Sequence, residues 1–433
     1  MSDLTLGLTV LVGSFVLMLF MGVEISYTLG LSAVFTCLAM NINLLVVFQT
    51  VFYKMANYSL LAVPCFMLMG EFMSIGTMAE NIEELARVLV GWMPGGLAMV
   101  NVVDSMFFGG VSGSSVADVS SLGPIIIKLM KDSGYDEDFA VALTCTSSIQ
   151  GIIIPPSHNL VIYAVTAGGV SIAALYMGGY LSGFLLGLCL AVYCFFVSRK
   201  RHYPVDKAFT LKRFAHAMWI SIPTIICMIV VVGGVLLGWM TATESAAAAA
   251  VYCFIFTFVI ERKGKWKDLV GAFKRTSKTI GSVLVLAACA TAFSWVITYL
   301  RIPQLVTKGL FALTSSKFLM LIIINVILLI MGCFMNMVSV IYIMVPILLP
   351  IVTQLGMHPV QFGIMLILNL GIGLLTPPVG QVLFVGCSVG NVSMEKLTKA
   401  LLPQMAFICV ALLLVTFVPG ITMWLPTMAG YIK

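Results

Sequence analysis

The chain has 433 residues, of which 61% are apolar and 9% charged, with 23 Lys and Arg against 17 Asp and Glu. A soluble domain carries about a quarter charged residues, so this composition excludes a water-soluble fold and makes the net charge of +6 a matter of loops and topology, not of nucleic acid. Eleven cysteines lie singly in apolar stretches without a CxxC, which argues against both a disulfide framework and a thiolate metal site.

A membrane span needs roughly 20 apolar residues. The first candidate, 4–23, lacks a basic leader and a small-residue cleavage site, so it reads as a membrane helix and not a removable signal. Candidates 27–47 and 55–77 follow. The next apolar stretch, 94–131, is too long for one helix and is interrupted by FFGGVSGSSVAD at 107–118. Half-helix, turn, half-helix is the natural reading, a re-entrant hairpin that enters and leaves on one side. Such backbone is tolerated at membrane depth only where it is buried or lines a cavity. Spans 139–166, 174–198, 217–238, 243–260 and 278–300 come next. The stretch 304–352 repeats the hairpin pattern around GCFMNMVS at 332–339. Spans 360–389 and 401–425 close the chain.

The basic stretches fix an orientation. Residues 199–213 hold six Lys and Arg, and 262–278 hold seven. Two spans separate them, so both fall on the cytoplasmic side. Traced outwards, the first hairpin opens to the cytoplasm and the second to the outside, and both termini lie outside.

Residues 110–171 and 332–393 align without a gap at a fixed offset of 222. Gly110 falls on Gly332, Pro124 on Pro346, Gly151 on Gly373, Pro155-Pro156 on Pro377-Pro378 and Gly168 on Gly390. Gly and Pro mark positions where a backbone turns or breaks. Broken apolar segments at matching places in two halves point to a secondary transporter with its site at the breaks. The expected fold is an all-α polytopic membrane protein. It is built as an inverted repeat with two re-entrant hairpins and two Pro-Pro-broken helices.

The breaks suggest chemistry. Two prolines in a row unwind a helix and leave carbonyl oxygens near Gly151 to Pro156 without donors. A bare carbonyl in an apolar medium costs several kcal/mol, on the order given for unpaired polar groups, and a desolvated cation removes that cost. Beyond the break a new helix starts, with Ser157 or Asn159 as cap, and its free amides suit an anion. The tip around Ser112, Ser114 and Ser115 offers the same pair of features. In the second half Thr376 adds a side-chain oxygen, and the break faces the tip at Gly332 to Asn336. Carbonyl-rich cages poor in carboxylates favour a monovalent cation over Ca²⁺ or Mg²⁺. Sodium is therefore expected as the coupling ion, with Asp104 and Asp118 leaving protons possible. No Lys or Arg lies at a tip or a break, so a substrate carboxylate is expected to be held by amides and hydroxyls. Glu24, Glu71 and Glu244 lie near span ends, where they snorkel or cap. A rival reading takes Gly110-Val-Ser112-Gly113 as the GxSG of a rhomboid-like intramembrane serine protease with His158 as its base. The second half retains the turn but not the hydroxyl, which weighs against it.

The tip GGVSGSSVAD, the break IIIPPS, the tip GCFMN and the break GLLTPPVG together resemble the large membrane subunit of the tripartite ATP-independent periplasmic (TRAP) transporters, over essentially the whole chain. The resemblance implies an elevator-type carrier in the bacterial inner membrane, embedded in lipid, and not an enzyme. It imports an organic acid such as a C4-dicarboxylate, a sialic acid or a sugar acid on a sodium gradient. Its partners are a periplasmic substrate-binding protein and a small four-helix membrane subunit, here expected as a separate chain. Carried over by position, one sodium sits among Ser112, Gly151, Ile154 and Pro156. The other sits among Gly332, Phe334, Gly373, Thr376 and Pro378. Ser112, Ser114, Ser157 and Asn336 contact substrate. The implied domains are scaffold over 1–93, the first transport part over 94–166 and connecting and scaffold helices over 167–303. The second transport part covers 304–389 and a C-terminal helix 390–433. A stand-alone sodium–dicarboxylate symporter of the same superfamily is the alternative.

Overall fold

The structure, a computed structural model, describes residues 3–206, 209–314 and 316–432, without the side chains at 3 and 110–112. Every regular element among the described residues is helical. The opening elements are α1 (Asp3–Phe20), α2 (Ile25–Ala39), α3 (Leu44–Met55), α4 (Ala62–Ile75) and α5 (Met78–Val90). The expected span 27–47 is thus two helices. Asn41 turns left-handed at φ 54°, and the Asn43 side chain accepts the Leu45 N–H at 2.9 Å to start α3. The stretch 80–93 is not a plain loop, because α5 buries Met78, Ile82 and Leu85 together with Glu83, while Glu80 is exposed.

The first hairpin is α6 (Gly96–Ser112) followed by α7 (Ser115–Ser121) and α8 (Gly123–Asp132). Gly113 closes α6 at φ +63°, a left-handed conformation that glycine adopts without strain. The first broken helix is α9 (Glu137–Ser147), α10 (Gln150–Ile153) and α11 (His158–Thr166), bent by 48° at the break. Then come α12 (Ile172–Arg201), α13 (Leu211–Leu236), α14 (Ala242–Phe254) and α15 (Trp266–Tyr299). Thr241 and Glu244 form a reciprocal cap at the start of α14, which bears out the capping role of Glu244. At 34 residues α15 is about 51 Å long at 1.5 Å per residue, well beyond a bilayer core. Most of the basic stretch 262–278 is therefore helix and not loop.

Two later boundaries also shift. The stretch 304–352 holds a separate helix, α16 (Ile302–Leu313), before the second hairpin, α17 (Lys317–Phe334) and α18 (Met337–Gln354). The second broken helix is α19 (Pro359–Gly373) and α20 (Gln381–Gly390). The last span is divided into α21 (Met394–Phe417) and α22 (Pro419–Met428), with Pro419 in the first turn of the new helix. Among the described residues, eight helices are long and apolar enough to cross a membrane, or nine with the bent pair counted as one span.

Packing favours two groups of helices, which meet where α4 and α5 lie on α6 and where α15 and α16 lie on α18. One comprises α1 to α5 and α13 to α16, with α15 against α2, α3 and α4, and α13 against α5. The other comprises α6 to α12 and α17 to α22. Within it the halves interlock, since α20 lies on α7, α8 and α9 while α11 lies on α18 and α19. Helix α12 packs on α6, α10, α11, α19, α21 and α22, so it sits with the broken helices and not with the helices that follow it.

Candidate functional site

Each hairpin tip is docked on the break of its own half. In the first half a Cβ on Gly109 would lie 2.2 Å from the Gly151 Cα, so the two backbones touch through paired glycines. The Ser115 hydroxyl donates to the Ser148 carbonyl at 3.0 Å, and the Asn159 amide donates to the Gly113 carbonyl at 3.3 Å. In the second half a Cβ on Gly373 would lie 2.7 Å from the Gly332 Cα and carbonyl carbon. Farther from the tips the same pairs of elements are pinned by hydrogen bonds. Ser147 donates to Asn101 at 2.9 Å, while Asn369, at the position 222 residues on, donates to Asn325 at 2.8 Å. Both Pro-Pro bonds are cis.

The expected cation residues meet in two places. Gly151 lies at the first junction, where a Cβ on it would also reach an Asp118 carboxylate oxygen at 2.4 Å. Ile154 and Pro156 follow in the same buried turn. Gly332 and Gly373 touch at the second junction, with Thr376 one turn beyond. The Thr376 hydroxyl donates to the Ile372 carbonyl at 2.8 Å, which leaves its lone pairs to face a cation. Phe334 and Pro378 are exposed. The Ser112 side chain, expected at both sodium and substrate, lies outside the described residues.

The caps differ from expectation. Ser157 does not cap α11, because its hydroxyl donates backwards to the Ile152 carbonyl at 2.6 Å. The Pro155 carbonyl is likewise taken, by the Tyr180 hydroxyl at 3.0 Å. So the unwound carbonyls are partly satisfied within the protein, by Ser157 in a role other than the expected cap and by Tyr180, which sequence spacing did not single out. At the tips, Ser114 and Asn336 stand at equivalent repeat positions and each caps the returning arm. Ser114 accepts from Ala117 at 3.4 Å and Asn336 from Val338 at 2.9 Å.

Both tips open into one cleft of about 710 Å³ between the two helix groups. Ser114, His158, Asn336, Ser339 and Gln381 form the side that belongs to the hairpins and broken helices. Ser157 is fully buried and does not line it; His158 does. The opposite wall carries Glu24, Ser26, Glu71, Arg275, Thr279 and Ser282 from α2, α4 and α15 and their edges. No Lys or Arg lies at a tip or a break, but Arg275 reaches the cleft from a helix remote in sequence. Glu71 neither snorkels nor caps. It accepts from the Arg275 Nε at 3.0 Å.

The residues 12–421 match the family described as "Tripartite ATP-independent periplasmic transporter, DctM component". The chain belongs to the DctM family. This DctM chain is 36% identical to the C4-dicarboxylate TRAP transporter large permease protein DctM of Vibrio cholerae, over 95% of each. It is 38% identical to the isethionate TRAP transporter permease protein DctMQ of Oleidesulfovibrio alaskensis, over 96% of this chain and 66% of that longer protein. Its fold resembles the YdaH transporter of Alcanivorax borkumensis with a TM-score of 0.66 at 15% identity, covering 87% of this chain and 89% of that one. As a DctM chain the protein is a transporter component and not an enzyme, which removes the rhomboid reading of Gly110 to Gly113.

Proposed function

We propose that this chain is the large permease of a sodium-coupled importer of organic acids in the bacterial cytoplasmic membrane. The observation that carries the reading is the shared cleft, onto which two glycine-paired tip–break junctions converge. Each junction offers unwound carbonyls for a desolvated cation and helix starts for an anion. One sodium is assigned to Gly151, Ile154 and Pro156 with the Ser112 tip, and a second to Gly332, Phe334, Gly373, Thr376 and Pro378. Ser114, Asn336 and His158 take the organic acid, with His158 replacing Ser157. The two halves act as inverted repeats with re-entrant hairpins. The interlocked group α6 to α12 with α17 to α22 moves as one elevator body past the other helices, which extends the moving part beyond 94–166 and 304–389 to include α12, α21 and α22. A periplasmic binding protein delivers substrate, and a separate small membrane subunit buttresses the fixed group.

The test is uptake by the reconstituted complex. Replacing sodium by choline at fixed membrane potential should abolish uptake of succinate, N-acetylneuraminate or a sugar acid, whichever the parent carries. Undiminished uptake on a proton gradient alone refutes sodium coupling and points to Asp104 or Asp118. Undiminished uptake without the binding protein establishes the stand-alone symporter instead.

A further inference from the structure

We infer that Arg275 and Glu71 form an exchangeable ion pair on the fixed wall of the cleft, in which Arg275 leaves Glu71 to hold an anionic group of the substrate. This deepens the organic-acid reading above and rests on it. Arg275 is the one Lys or Arg among the described residues that line the cleft, and its side chain is 59% exposed there. Its Nε donates to both Glu71 oxygens, at 3.1 and 3.0 Å, and Nη2 donates at 2.5 Å. A guanidinium fork of this kind accepts any planar carboxylate in the same two-bond geometry. An open pair is weakly held, because water screens it on one side. A competing carboxylate delivered into the cleft can therefore displace Glu71 at little cost.

The surroundings of Arg275 support a ligand position. Arg275, Thr279, Ser282 and Leu286 recur at helical spacing along α15, so a mostly polar stripe faces the cleft in an otherwise apolar helix. Thr276, next to Arg275, is 5% exposed, and its buried Oγ1 makes no hydrogen bond within the protein. A buried hydroxyl without a partner on the wall of a cleft marks a place where a ligand oxygen would be accepted. Across the cleft stand Ser114, Asn336 and His158. A substrate with an anionic group at one end and hydroxyls or a second acid at the other spans the two sides. With Glu71 and Glu24 on the same wall, the paired state presents a net negative face. That face rejects anions until Arg275 is released, which gives the pair a part in selecting substrates. Because Arg275 belongs to the fixed group, the contact exists only in the conformation in which the tips face this wall.

The experiment measures tracer exchange by the complete reconstituted complex, with the anion varied on the side that carries residues 262–278. The probes are succinate, N-acetylneuraminate, a sugar acid and isethionate. Arg275→Gln should raise the half-saturating concentration about tenfold, as expected for one lost charge-assisted contact. Arg275→Lys should fall between that variant and the parent. Glu71→Gln should lower the half-saturating concentration, because it frees Arg275 and removes a repelling charge. The double variant should behave as Arg275→Gln. A purely structural ion pair predicts the opposite pattern, with both single variants impaired alike and the double variant restored, and that result overturns the inference. Arg275→Lys and Glu71→Gln keep the test decisive if Arg275→Gln does not insert, since an unchanged half-saturation in both also overturns it. A parent that exchanges none of the probes refutes the organic-acid reading itself, whereas a working parent with indifferent variants refutes only the role of Arg275.

Discussion

The two Pro-Pro breaks share a sequence device but not an environment. Residues 151–160 are buried throughout, whereas Pro377, Pro378 and Val379 are exposed. The cause lies in the helices that follow. Helix α12 presents glycines to the first break. A Cβ on Gly179 would lie 2.6 Å from the Ile153 carbonyl oxygen, and one on Gly183 would lie 2.2 Å from Ile154 Cγ1. That close approach lets Tyr180 bond the Pro155 carbonyl. At the repeat-equivalent positions of α21 stand Leu401, Leu402 and Met405, which lack both the room and the hydroxyl. One unwound turn is therefore sealed by protein and the other is left for solvent, lipid or a partner to meet. A repeated motif specifies where a helix breaks; its packing neighbours specify what the break can reach.

The largest effect should come from removing that seal. Gly179→Leu forces a side chain into the Ile153 carbonyl, an overpacking that costs about 1–3 kcal/mol and displaces the proposed first cation site. Uptake should be lost and the melting temperature in detergent should drop. The mirror change, Leu402→Tyr on α21, should leave both nearly unchanged, because Leu402 is 61% exposed. Equal effects from the two variants would show that the difference in packing is of no consequence.

A smaller effect should separate the two proposed cation sites chemically. Thr376 occupies the repeat position of Ile154, so of this pair only the residue in the proposed second site has a side-chain oxygen. Thr376→Val keeps the shape and removes one ligand, which at roughly 0.5–1.5 kcal/mol should raise the sodium requirement about twofold to tenfold with normal insertion. A sodium dependence equal to the parent's would show that Thr376 only packs, its hydroxyl serving the Ile372 carbonyl alone.

Much of this architecture is legible in the sequence because glycine and proline act locally. The offset of 222 locates both tips and both breaks, and the structure places helix ends at Ser112, Ile153, Phe334 and Gly373. Long-range neighbours are not legible in the same way. Nothing in the spacing of Glu71 and Arg275, 204 residues apart, shows that they meet. The backward bond from Ser157 to Ile152 depends on the geometry of the unwound turn, so a residue that reads as a cap becomes a filler of the break. Helix α5 was missed for a different reason. It is short and amphipathic, and a search for unbroken apolar runs passes over it.

Accessibility should follow the same contrast. Ser157 and Val379 hold equivalent repeat positions, at 0% and 40% exposure. In a background freed of its native cysteines, Val379→Cys should react readily with a small hydrophilic thiol reagent and Ser157→Cys hardly at all. Sodium and substrate should alter labelling at 379 if the moving group changes its exposure. Equal and invariant labelling at both positions would contradict the asymmetry.

The smallest effect lies at the feet of the broken helices, outside the membrane. Asp136 precedes α9, and His358, its repeat equivalent, precedes α19. The Tyr203 hydroxyl and then Arg201 hold the Asp136 carboxyl below its usual value, at 2.6 and 2.7 Å. Burial lowers the pKa of His358, whose Nδ1 must stay unprotonated to accept the Val360 N–H at 3.2 Å. Both folded-state values are depressed, so each group stabilises the fold above its unfolded value and loses that contribution as pH falls towards its folded value. The windows differ because the unfolded values differ, about 6.5 for histidine and about 3.9 for aspartate. Melting temperature should therefore decline in two modest steps on acidification. The first should begin near pH 6.5 and belong to the second half of the molecule, and the second should begin below about pH 4 and belong to the first half. His358→Asn keeps a capping oxygen without a titrating nitrogen and should erase only the first step, while Asp136→Asn should erase only the second. A first step that survives His358→Asn would assign it to another group and leave the two feet without the difference in chemistry that their sequences imply.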